Sequence, residues 1–125
     1  QWTGGGVVFA PVPRDYSFKM NKKEKRLALK SVLASKVQDN KFLVLDELKL
    51  AEIKTKEMKK VLNNLKVDKA LVVVSDDCKN VISSARNIPG VQTAFVNSIN
   101  VFDILKYNIV IATKSSVAFI EEVYA

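Results

Sequence analysis

"ALVVV", residues 70–74, is a run of five apolar residues, three of them valine, with no polar position to mark a solvent side. A run this short and this rich in β-branched residues reads as a strand covered on both faces, the usual condition of a strand inside a parallel sheet. Three further runs have the same character: "FLVL" at 42–45, "TAFV" at 93–96 and "IVIA" at 109–112.

The stretches between them carry helical spacing. Thr55 is expected to cap a helix whose Met58, Val61, Leu62 and Leu65 fall at i, i+3, i+4 and i+7, with lysines outside. Asp76 or Asp77 would cap the next, which contains Val81, Ile82 and Ala85, and Pro89 would end it. Asn100 would cap "VFDILKY", and a last helix runs from about Ser115 to Tyr124 with Val117, Ile120 and Tyr124 inward. Strand alternating with helix predicts a three-layer α/β/α domain with a mainly parallel sheet of about four strands and right-handed crossovers.

Ahead of this lies a first helix at about 22–37. Asn21 with Glu24 approximates a capping box, and Leu29, Val32 and Leu33 supply the core contact. Lys22, Arg26 and Lys30 line up at i, i+4 and i+8 beside that apolar face. Residues 1–20 then form an extended segment outside a globular domain at 21–125.

The net charge of +7 is unevenly placed. Residues 1–36 hold eight Lys/Arg against Asp15 and Glu24, a net +6, so residues 37–125 are nearly neutral. No apolar run approaches the roughly 20 residues of a membrane span, and the opening residues lack the features of a signal peptide. A soluble intracellular chain is expected.

Several chemistries are disfavoured by composition. There is no histidine and only one cysteine, Cys78, so the commonest general base, multi-cysteine metal sites and an internal disulfide are missing. A dinucleotide site needs glycine where a strand turns into a helix, and "DELKL", "SDDCKN", "NSIN" and "TKSS" contain none. Asp76 and Asp77 could serve as an acid/base or metal pair, but capping explains them equally well. No cofactor, metal or catalytic residue is expected. The rival reading is an α/β nucleotide-binding or enzymatic domain with an incidental basic arm.

The leading segment carries a more specific pattern. Its cations are interleaved with Trp2, Phe9, Tyr16 and Phe18 on a backbone that glycine and proline keep thin, a composition suited to neutralising phosphates and stacking on bases. A merely solvated arm is the alternative, and the apolar "VVF" at 7–9 argues against it.

"QWTGGGVVFAPVPRDYSFKMNKKEKRLALKSVLASK" resembles the bacterial ribosomal protein L-four family, as do "VLDELKL", "KTKEMKKVLNNL", "SARNIPGV", "INVFDILKY" and "IEEVYA", in that order. The resemblance spans all 125 residues. It implies a non-enzymatic constituent of the large ribosomal subunit that binds and stabilises ribosomal RNA. Its α/β domain would sit on the subunit's outer side beside neighbouring ribosomal proteins, and an extended loop would run toward the peptide exit tunnel. Residues 2–20 would be that loop's returning limb. Trp2, Arg14, Tyr16, Lys19, Lys22, Lys23, Lys25, Arg26 and Lys30 would face RNA, with a second contact at Arg86 and Asn87. The location implied is cytoplasmic, on a bacterial or organellar ribosome, and regulatory binding of messenger RNA would use the same surface. Thr3 and Ala10 depart from the family's usual Arg and Gly. The chain opens inside the pattern, so the loop's outgoing limb and tip are expected upstream of Gln1.

Overall fold

β-Branched and aromatic residues, suited to a pleated surface, occur in the four strands, valine and isoleucine dominating the two central ones. The four strands are β1 (Phe42–Leu45), β2 (Ala70–Val74), β3 (Val91–Phe95) and β4 (Ile109–Thr113). The helices are α1 (Lys22–Gln38), α2 (Thr55–Asn64), α3 (Lys79–Ala85), α4 (Val101–Lys106) and α5 (Lys114–Tyr124). The computed structural model describes residues 3–75 and 78–124.

All pairings are parallel and the strand order is β1-β4-β2-β3. Central β2 pairs on both sides, Val72 standing opposite Thr93 and Ile111. All five of its residues are buried, as an unbroken apolar run requires. Alternation divides the strands between two cores. Ala70, Val72, Val74 and Ile111 pack with Met58 and Leu62 of α2 and Val81 and Ala85 of α3. Leu71, Val73, Val110 and Ala112 pack with Leu29 of α1 and Ile104 of α4, and with Val117, Ile120 and Tyr124 of α5. The result is the three-layer α/β/α architecture expected. The chain moves one way across the sheet from β1 to β2 to β3 through α2 and α3. It reverses to reach β4, and the connecting helix α4 changes face, as constant crossover handedness demands.

Several local expectations shift. β3 occupies 91–95, not 93–96, because the turn at Gly90 starts the strand directly and Val96 begins a short 3-10 turn, Val96–Ser98. On an edge strand the apolar run was a poor guide: Phe95 is exposed while Val91 and Ala94 are buried. Thr55 is the first helical residue, and the extended Lys54 takes the cap position. α3 stops at Ala85, four residues before Pro89, so the turn through Arg86–Gly90 ends it. The capping assigned to Asp76 or Asp77 lies outside the described residues. Asn100 caps α4 as expected, its Oδ1 accepting from the N–H of Asp103 at 2.8 Å. In α1, Glu24 reaches back to accept from the N–H of Asn21 at 3.2 Å.

Gly90 is required by geometry. Its φ is +82°, and a Cβ there would meet the carbonyl oxygen of Asp68 at 3.0 Å. Its own carbonyl accepts from the N–H of Ala70 at 3.1 Å, so this turn ties the starts of β2 and β3 together.

Candidate nucleic-acid interface

Residues 3–20 form no helix or strand, and each is exposed. Phe9 is 91% exposed and Phe18 83%, so both rings are open to solvent along the arm. Arg14 lies over the ring of Tyr16 at 4.1 Å, a cation–π pair that holds a flat guanidinium-aromatic surface to the outside. The arm's one carboxylate is engaged locally. Asp15 accepts from the backbone N–H and the hydroxyl of Ser17, both at 2.8 Å, and these two hydrogen bonds hold its carboxyl below the ordinary aspartate range. Trp2 lies outside the described residues.

The arm joins α1 at a point of electrostatic tension. Lys22, Lys23, Lys25 and Arg26 occupy the first turns of the helix, and Glu24 is the only acid there. The helix dipole places partial positive charge at this end, so cations here are disfavoured and anions favoured. Elsewhere lysines find acids: Lys41 with Asp39, Lys49 with Glu47, Lys54 with Glu52 and Lys114 with Asp46. Lys19, Lys22, Lys23, Lys25 and Arg26 make no ion pair with a described residue. All five are exposed, as are Arg14, Tyr16 and Lys30.

Lys36, at the other end of α1, is different in kind. It is buried, and its Nζ donates to the carbonyls of Tyr107 at 2.8 Å and Asn108 at 3.1 Å. Burial, with a smaller push from Lys41 and some opposition from Asp39, lowers its pKa below the usual lysine range. It pins the turn before β4 from inside the fold.

Arg86 and Asn87 are exposed in the turn after α3. They do not join the α1 stripe, because α3 packs on the opposite face of the sheet from α1.

Beside α1 the fold makes a groove of about 600 Å³ that the sequence did not announce. Leu29, Ile99, Val101 and Tyr124 form its apolar lining, and Met20, Lys22, Lys25 and Arg26 its arm-side rim. Its walls come from positions up to a hundred residues apart, so no local pattern marks it.

A second cleft, of about 640 Å³, lies at the carboxyl ends of the strands, where α/β enzymes place chemistry. Its charged residues Asp46, Glu47, Lys49 and Lys114 pair with one another. Thr113 is bonded to Ser116 at 2.8 Å and to Ser115 at 3.0 Å, so these hydroxyls are mutually occupied. No glycine lines it. Cys78 at its margin is half-buried, its Sγ 4.0 Å from the hydroxyl of Ser75. Among the described residues, no group of three or more His, Cys, Asp or Glu could hold a metal.

The model of the Ribosomal protein L4/L1 family matches residues 1–123. Curated relatives called large ribosomal subunit protein uL4 include that of Agathobacter rectalis, 67% identical over 125 residues, and that of Lachnospira eligens, 63% identical over 125. Another, from a Thermoanaerobacter species, is 58% identical over 125 residues. Each match takes in all of this chain and 61% of the relative, so the chain spans about three fifths of their length.

Proposed function

The chain belongs to the ribosomal protein L4/L1 family, and from that premise we propose that it is a non-enzymatic, RNA-binding constituent of the large ribosomal subunit. One observation carries the proposal: Lys22, Lys23, Lys25 and Arg26 at the N-terminus of α1 make no ion pair with a described residue, and they adjoin an arm of exposed aromatics. A folded RNA supplies what both lack, phosphates for the cations and base faces for the rings.

In this role residues 1–20 act as an RNA-penetrating limb, part of an extended loop directed toward the peptide exit tunnel. Arg14, Lys19, Lys22, Lys23, Lys25, Arg26 and Lys30 neutralise phosphate, and Trp2 and Tyr16 stack. The domain at 21–125 anchors the limb and meets neighbouring ribosomal proteins, with Arg86 and Asn87 as a separate contact on its other layer. The setting is the ribosome of a bacterial cytoplasm. Messenger RNA bound in regulation would use the same basic face.

Binding of a large-subunit ribosomal RNA fragment, titrated against salt, tests the proposal. With about five of these seven cations in direct contact with phosphate, log affinity falls against log salt with a slope of roughly −3.5 to −4.5. Replacing Lys22, Lys23, Lys25 and Arg26 together by Gln makes that slope shallower by about 3. A flat salt response overturns the proposal, and saturable binding of a mononucleotide at the strand-end cleft favours the enzymatic rival.

A further inference from the structure

The groove beside α1 is built for something flat, apolar and attached to negative charge. Its apolar lining includes Ala28, Leu29, Ile99, Val101 and Tyr124. Asn100, also in the lining, has its side chain oriented by Asp103, which engages one of its amide N–H groups and one Oδ1 lone pair. Its Oδ1 accepts from the backbone N–H at 2.8 Å, and its Nδ2 donates to the carboxylate at 2.7 Å. The apolar walls offer a base shape and a stacking surface. Its rim carries Lys22, Lys25 and Arg26, at i, i+3 and i+4 on one side of α1, and none of the described residues that line it is acidic. At about 600 Å³ it falls within the roughly 300–1,000 Å³ of small-ligand clefts and is open enough for one nucleotide.

We infer that this groove receives a single unpaired nucleotide of the bound RNA, its base against Tyr124, Val101 and Ile99 and its phosphate toward Lys25 and Arg26. The inference rests on the RNA-binding reading above and adds to it a preference for a splayed-out base. Double-stranded RNA hides its base faces, whereas a bulge or loop presents one that an aromatic side chain can stack on. Placed where the arm meets the domain, the captured nucleotide fixes where the arm leaves the domain surface. The apolar lining serves base capture, and the cations cover the adjoining backbone.

The test compares two RNA hairpins of identical stem, one carrying a single bulged adenosine, in binding to the full 125-residue chain at fixed salt. The chain is expected to bind the bulged hairpin about tenfold more tightly, the effect of one stacked base. Val101→Trp, which fills the groove, and Tyr124→Ala, which removes its aromatic wall, are expected to bring the ratio near one and leave affinity for the unbulged hairpin within about twofold. Tyr124→Phe is expected to keep the preference, separating a stacking surface from a merely structural one. A ratio near one in the parent chain, or a preference that survives both Val101→Trp and Tyr124→Ala, overturns the inference. Equal binding of the two hairpins leaves the RNA-binding function standing and the groove open to an apolar segment of a protein partner. Binding of neither hairpin at low salt sinks both.

Discussion

Residues 70–74 and residues 3–20 follow opposite rules. In the first, Ala70, Leu71, Val72, Val73 and Val74 are each at most 1% exposed and serve two cores at once. In the second, Val7, Phe9, Val12, Tyr16 and Phe18 are all more than 70% exposed, though several are as apolar as anything in β2. Hydrophobicity alone does not separate the two. What separates them is whether the chain brings its own partner surface. β2 sits between β3 and β4 with helices on both sides, whereas the arm has no second layer and its backbone joins no sheet. On the proposed function, another molecule buries the arm's apolar residues.

Mutations should divide along that line. Leu71→Ala empties a fully buried site in the α1/α4/α5 core and is expected to cost about 2–5 kcal/mol in urea unfolding. RNA affinity measured per folded molecule should not change. Gly90→Ala, set against a φ of +82° and a backbone oxygen at 3.0 Å, should cost about 1–3 kcal/mol. A neutral result there would mean that the turn relaxes and that the β2–β3 start is softer than described. The fourfold change of Lys22, Lys23, Lys25 and Arg26 to Gln should move the two properties in opposite directions. Unfolding stability should rise by about 1 kcal/mol, as repulsion within α1 and against its dipole is relieved, while RNA affinity falls. If stability drops instead, those cations have internal partners and the contrast between the regions fails.

Lys36 gives the smallest and most local effect. Its folded pKa is lowered by burial, so the unfolded chain binds more protons in the window just below 10.5. Stability should therefore rise with pH as that window is crossed, the reverse of a lysine held in a salt bridge. Denaturant midpoints across the alkaline range should show this slope in the parent chain and lose it in Lys36→Gln.

Legibility in the sequence followed the same physics. β1 and β2 were readable to the residue, but only β2 owes this to continuous burial; β1 proves to be an edge strand with Val44 49% exposed, so its expected cover on both faces is not met. β3 slipped by two positions, because an edge strand need not be apolar on both faces and Gln92 can sit within it, accepting from the Tyr107 hydroxyl at 2.9 Å. The basic stripe on α1 was visible as spacing, since i, i+4 neighbours adjoin on any helix. The groove was not, because Leu29, Ile99 and Tyr124 meet only after α1, α4 and α5 have packed on one face. Nor did sequence spacing separate Arg86 from the α1 cations; the packing of α3 and α1 on opposite faces of the sheet does that.

The account's central claim is that RNA supplies the counterpart which residues 3–20 lack. Limited trypsin digestion of the free chain and of its complex with a large-subunit ribosomal RNA fragment tests it most directly. The account predicts early cleavage after Arg14, Lys19 and Lys22 in the free chain while the domain stays intact, and strong protection of those three bonds in the complex. Equal cleavage at these sites with saturating RNA present would contradict it.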